Sequence, residues 1–205
     1  MDFCGLQENK PDQITQILAT NGKADGKRLV NLGDYDSRTP LHVAAAEGNQ
    51  SCVLKLLDED ANPNPEDRWG HTPLYDACNH THTPCVVVLI RFGAELRMNE
   101  VDLASHLCME TSLNRRSAVY TWLVAECNPN AADYDGRTAL HAACTCGSLS
   151  TAMHLLEFSA DPNAQDRWGN TPLSDASMYN HSRLVELLES HSVEQPGLPP
   201  GPELL

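Results

Sequence analysis

Cys78, His80, His82 and Cys85 fall within one eight-residue stretch, and thiolates and imidazoles are the ligand types of a tetrahedral zinc site. Their spacing, Cys-x-His-x-His-x-x-Cys, lacks the ligand pairs of fixed separation that such sites use. His42 and His141 are the next candidates. A catalytic histidine needs a nucleophile or carboxylate held by a third group, and no nucleophile elbow, phosphate-cradling glycine loop or metalloprotease motif accompanies either. Cys144 and Cys146 are one residue too close for a redox Cys-x-x-Cys motif. Cys146, at the end of its helix, offers a thiol that no motif supports as reactive. The glycosylation triplets at Asn49, Asn79 and Asn180 read as coincidence in a chain without an export signal.

What positions these side chains is an internal repeat. DYDSRTPLH begins at Asp34, DRWGHTPLY at Asp67, DYDGRTALH at Asp133 and DRWGNTPLS at Asp166, so the offsets are 33, 66 and 33. A fifth, degenerate unit fills the gap, with Ser105-His106-Leu107-Cys108 where the others have Thr-Pro-Leu-His. Each column has a physical task. Thr39, Thr72, Thr138 and Thr171 carry hydroxyls able to cap a first helix, with Pro40, Pro73 and Pro172 at its first position. Leu41, Leu74, Leu107, Leu140 and Leu173 begin the buried stripe, and Ala44, Ala77, Ala143 and Ala176 let helices approach closely. Gly48, Asn114, Gly147 and Asn180 stand where the turn between paired helices admits a left-handed residue. In this register Cys78 and Cys85 occupy small-residue packing positions, shared with Ala45 and Cys52. Packing explains them better than metal.

A 33-residue period carrying Thr-Pro-Leu-His-x-Ala resembles the ankyrin-repeat family. That resemblance implies an all-α solenoid of helix-turn-helix units with hairpin-like finger loops, stabilised by stacking neighbours. It also gives His42 and His141 a structural role, hydrogen-bonding between successive loops. The paired DYDGRTALH and DRWGNTPL segments, and the degenerate unit GAELRMNEVDLASHLCMETSLNRRSAVYTWL, resemble the ankyrin tails of cytosolic asparaginases of the lysophospholipase-like type, glutaminases and plant potassium channels. The register divides the chain into a partial N-terminal cap with a long loop (1–33), repeats at 34–66 and 67–99, a degenerate repeat at 100–132, a repeat at 133–165, a capping repeat at 166–192 and a disordered Pro-rich tail (193–205). Within the cap, 12–19 reads as a lone second helix.

The net charge is -14, with a pI of about 4.9 and a mean hydropathy of -0.38. Such a surface repels phosphate backbones and anionic headgroups, which argues against nucleic acid and membranes and for a partner with a basic patch. No apolar run approaches the ~18 residues of a membrane span. With no secretory signal in MDFCGLQENKPD, the eight cysteines read as reduced thiols of a cytoplasmic or nuclear protein.

Function is therefore sought on the surface. Tyr35, Trp69, Tyr134 and Trp168 occupy finger tips, beside Arg38, Arg68, Arg137 and Arg167, and these residue types dominate interface hot spots. Each tryptophan either packs on the neighbouring finger or faces a partner. Family geometry puts Asp76 and Asp175, with Glu47, His80, Cys146 and Tyr179, in an acidic, mildly polar groove. Asn64, Asn130 and Asn163 match the loop asparagine that ankyrin domains present to an asparaginyl hydroxylase. Asn163 fits best, with Leu155 eight residues and Asp161 two residues before it, although Pro162 departs from the pattern. The sequence thus predicts a monomeric protein-interaction module, an adaptor or scaffold without catalysis, metal or cofactor. The alternative is a regulatory or assembly tail of a metabolic enzyme or channel.

Overall fold

The computed structural model describes residues 30–193. The N-terminal helix expected at 12–19, most of the loop that follows it and the tail from residue 194 lie outside them; Val193, assigned to the tail by the register, instead ends the last helix. Ten helices and no strand occur among the described residues: α1 (Pro40–Ala46), α2 (Gln50–Asp58), α3 (Pro73–Asn79), α4 (Thr83–Arg91), α5 (Glu100–Ser112), α6 (Arg116–Val124), α7 (Ala139–Cys146), α8 (Leu149–Glu157), α9 (Pro172–Met178) and α10 (Ser182–Val193). The second helices start at 50, 83, 116, 149 and 182, each 33 residues after the last. No helix among these residues is long and apolar enough to cross a membrane.

Two compact units, Met1–Arg97 and Met98–Leu205, make up the chain. In the first, α1 packs on α2 and α3, and α4 on α2 and α3. In the second, α7 packs between α5 and α9, α6 joins α5 to α8, and α10 covers α8 and α9. Close approach follows from the small columns, since Ala44, Ala77, Ala143 and Ala176 are all fully buried. The leucine stripe is buried as expected at Leu41, Leu74, Leu107 and Leu140. Burying each such side chain contributes roughly 1.5–3 kcal/mol.

The turn from first to second helix takes a left-handed residue in every unit: Gly48, Thr81, Asn114, Gly147 and Asn180. Thr81 is the surprise, because a β-branched residue at φ 60 is strained. At Gly48 and Gly147 the glycine does more than accept positive φ. A Cβ on Gly48 would sit 2.5 Å from Nδ1 of His82, and one on Gly147 2.6 Å from Cε1 of His181. Those rings close over the turn so that His82 Nε2 can donate to the Ala46 carbonyl at 3.0 Å, and His181 Nε2 to that of Thr145 at 3.3 Å. They satisfy the orphan carbonyls at the end of the preceding first helix.

The degenerate unit keeps its helices and loses its finger. Helix α5 has 13 residues and is capped by Asn99, whose side chain accepts the Asp102 N–H at 2.8 Å. Helix thus occupies the stretch where other units form the tip. Ser105, in the threonine column, instead bonds back to the Val101 carbonyl inside the helix. Glu110 fills the alanine column; its buried carboxylate pairs with Arg115 at 3.2 Å.

Candidate functional site

Each finger tip is a short loop closed by its first aspartate. Asp34, Asp67, Asp133 and Asp166 each accept, through Oδ1, the N–H groups two and four residues on, at 2.8–2.9 Å. Neighbouring tips then lock in pairs. Within the first unit, Arg68 N–H donates to the Asp36 carbonyl at 2.9 Å and its guanidinium to Asp36 Oδ1 at 2.6 Å. Within the second, Arg167 repeats both bonds to Asp135 at 2.9 and 2.6 Å. Each guanidinium also lies 4.9 Å from the ring centroid of the tryptophan next to it, Trp69 or Trp168, within cation–π range.

The aromatic rings face solvent. Tyr35 is 93% exposed, Tyr134 82%, Trp168 62% and Trp69 56%. The tyrosines are almost free of packing, while each tryptophan is half covered, its neighbouring arginine among the groups beside it. Arg38 and Arg137 behave differently, reaching inward. Arg38 Nη2 meets Asp76 Oδ2 at 2.7 Å and its Nη1 lies 3.6 Å from Asp67 Oδ2; Arg137 makes the matching contacts to Asp175 and Asp166 at 2.9 and 3.8 Å.

The acidic groove expected from the register is corrected here. Asp76 and Asp175 are buried and bound to those arginines, because a guanidinium from the preceding repeat reaches across and closes the slot. Burial pushes the Asp76 carboxyl above its ordinary range despite the opposing pull of Arg38. Glu47, His80, Cys146 and Tyr179 remain exposed. His80 turns its Nδ1 to the Asp76 carbonyl at 2.9 Å.

The zinc-like cluster is dispersed. Cys78 and Cys85 are fully buried, and burial pushes the Cys85 thiol up to about 11. His80 and His82 are committed to backbone carbonyls. Among the described residues no group of three or more His, Cys, Asp and Glu is arranged to hold a metal ion. His42 and His141 bridge successive loops as the resemblance implied. His42 Nδ1 accepts the Thr39 N–H at 3.1 Å, so Nε2 carries the proton and donates to the His71 carbonyl at 3.0 Å. His141 does the same toward Asn170 at 3.1 Å. Burial lowers the His42 pKa below its usual value, which suits a neutral structural ring.

One difference between the two finger pairs was not legible in sequence. Asp166 Oδ2 accepts the Asn170 side-chain amide at 3.1 Å. Desolvation pushes this carboxyl up, but the bonds from Asn170 and the Trp168 N–H outweigh it and hold the carboxyl below its usual range. At the same place in the first unit stands His71, whose Nδ1 is 3.8 Å from Asp67 Oδ2, and that buried oxygen has no hydrogen-bond partner. Replacing His71→Asn should supply the missing donor and stabilise the protein by about 1 kcal/mol, read as a raised midpoint in urea. No gain, or the same gain from His71→Ala, would show that the orphaned oxygen is not the cause.

Two of the loop asparagines tie successive loops together. Asn64 donates to the Gly93 carbonyl at 2.8 Å and accepts the Glu95 N–H at 2.7 Å, and Asn130 clasps Ser159 and Asp161 likewise at 3.1 and 2.6 Å. Asn163 is exposed, with its backbone N–H on Asp161 Oδ1 at 2.8 Å.

Stacked 33-residue helix pairs, left-handed turns, bridging histidines and paired fingers define a repeat protein. The chain belongs to the ankyrin-repeat family: the description "Ankyrin repeats (3 copies)" matches residues 5–102 and 106–195. It is 33% identical to an L-asparaginase of Dirofilaria immitis over 89% of this chain and 30% of that protein. With potassium channel SKOR of Arabidopsis thaliana it shares 36% identity over 78% of this chain and 19% of the channel. The chain therefore spans less than a third of the length of these relatives. Among solved structures, the human ASB11 ankyrin repeat domain superposes with a TM-score of 0.66 at 26% identity, covering 92% of this chain and 82% of that one.

Proposed function

We propose that this chain is a protein-interaction module, an adaptor or scaffold of the cytoplasm or nucleus that acts as a monomer and performs no catalysis. The observation that carries the reading is the exposure of four aromatic rings on loops that their own hydrogen bonds already hold rigid. Rigid aromatic anchors lose little conformational freedom on binding. Arg68 and Arg167 supply polar contacts beside them, and Glu47, His80 and Tyr179, exposed at the far ends of the first helices, offer a further polar surface. Arg38, Arg137, Asp76 and Asp175 support the site from inside. Affinity capture with the wild type and with a Trp69→Ala, Trp168→Ala double variant tests this. Unchanged circular dichroism and loss of specific partners are expected, each truncation costing on the order of 2 kcal/mol of binding. Partners retained by the double variant would show that the rings are not the contact.

The lengths of the relatives favour a second reading, in which the repeats serve as a regulatory or assembly region of a metabolic enzyme or channel. Native protein running far above 22.5 kDa on a denaturing gel would support it.

Asn163 is also proposed as the acceptor for an asparaginyl hydroxylase. Its exposed position, with Leu155 eight residues and Asp161 two residues before it, supports that choice. Mass spectrometry of native material is expected to find oxygen added on the peptide containing Asn163; peptides with none would remove the idea.

A further inference from the structure

The same tip is built twice. Tyr35, Asp36, Arg68 and Trp69 in the first unit correspond, 99 residues on, to Tyr134, Asp135, Arg167 and Trp168 in the second. The agreement extends to geometry: the Arg–Asp contact is 2.6 Å and the guanidinium-to-ring distance 4.9 Å in both. Core demands explain the shared leucines and alanines. They do not explain the shared solvent-facing rings, since Tyr35 and Tyr134 bury little and Trp69 and Trp168 stay more than half exposed. The intervening degenerate unit, by contrast, has no tip, since α5 runs through that stretch.

The electrostatics indicate what such a tip accepts. All four tip arginines are matched by carboxylates: Arg68 and Arg167 by Asp36 and Asp135, Arg38 and Arg137 by the buried Asp76 and Asp175. What remains is an acid excess. Residues 30–97 hold ten Asp and Glu against five Lys and Arg, and residues 98–193 twelve against five. With the tip charges paired and the tryptophan rings already beside their own arginines, the open rings of Tyr35 and Tyr134 on units of net acid charge favour a cation carried beside apolar groups, through cation–π contact and charge complementarity together.

On the reading of this chain as an interaction module, we infer that it carries two equivalent, independent docking tips, each for a short peptide segment combining Lys or Arg with apolar side chains, and that its partner presents this segment twice. One tip alone binds weakly. Two linked epitopes gain roughly a hundredfold or more in apparent affinity without any new contact.

The test begins with a phage-displayed random dodecapeptide library selected on the full chain, followed by calorimetry with one enriched synthetic peptide. The expected result is a basic, apolar peptide that binds at two equivalents per chain. Stoichiometry should fall to one in Trp69→Ala or in Trp168→Ala, and binding should vanish in the double variant. Tyr35→Ala and Tyr134→Ala form an independent pair, at side chains too exposed to affect folding, and should each weaken one of the two sites. Two copies of the peptide joined by a flexible linker, its length varied until both tips are reached, should bind at least tenfold more tightly than the single copy. A stoichiometry of one in the wild type, enrichment of acidic peptides, or no enrichment over an unrelated protein would overturn the inference. A peptide that binds but ignores all four substitutions would overturn it too, while leaving the interaction reading in place.

Discussion

Replacing Arg38→Ala lowers the unfolding free energy by about 3 kcal/mol, because breaking a buried pair leaves an uncompensated charge inside. Two carboxylates depend on this guanidinium. Asp76 is 6% exposed in its side chain and 2.7 Å away, and Asp67, its side chain fully buried, is 3.6 Å away, its Oδ2 without a hydrogen bond and otherwise only 3.8 Å from His71 Nδ1. The loss depends on pH with a definite sign. Burial already raises the Asp76 pKa above its ordinary value, and removing the cation raises it further. Between the unfolded and folded pKa values the native state binds more protons, so stability falls as pH rises through that window. The gap between wild type and variant should therefore be wider at neutral pH than below about pH 5.

Arg137→Ala should cost less. Asp175 keeps the Thr145 hydroxyl at 3.3 Å and Asp166 keeps the Asn170 amide, whereas Ala46 stands in the place of Thr145 in the first unit. Urea unfolding of both variants at two pH values checks the order. Equal losses, or a gap that does not narrow in acid, would mean that the arginine acts through packing alone.

The second large effect is at the turn under His82. Gly48→Ala is expected to cost about 2 kcal/mol, from the left-handed backbone and from displacement of the His82 ring, which loses its bond to the Ala46 carbonyl. The degenerate unit shows another solution to the same turn: Asn114 at φ 54 accepts the Ser148 hydroxyl at 2.8 Å. Gly48→Asn alone should therefore clash with the imidazole, and adding His82→Ser should recover roughly 1 kcal/mol of the loss as a coupling between neighbours. A double variant no more stable than Gly48→Asn would show that ring and turn are independent.

Much of the fold was legible because its rules are local. A 33-residue register names the capping threonines, the buried leucines, the left-handed turn positions and the small packing positions that Cys78 and Cys85 fill. Even there the degenerate unit escaped: Ser105-His106-Leu107-Cys108 sits in the right column, yet the preceding residues are helical under Asn99. The available signal was that Glu100 and Leu103 stand where the other tips begin with Asp and close on Gly or Ser.

The bridging roles of His42 and His141 came from the family resemblance, while the sequence by itself determined the repeat, the helix positions and the placing of aromatics on finger tips. These follow from periodicity and side-chain type. Tertiary structure alone decided which charges are surface and which are frame. Arg38 meets Asp76 across 38 residues, and Arg68 meets Asp36 across 32; neither partner is implied by any local pattern. Burial of Asp76 and Asp175 and exposure of Trp69 and Trp168 likewise depend on which neighbouring element reaches over a slot. A one-dimensional register fixes a position in the stack, while exposure is set by what the adjacent repeat places beside it.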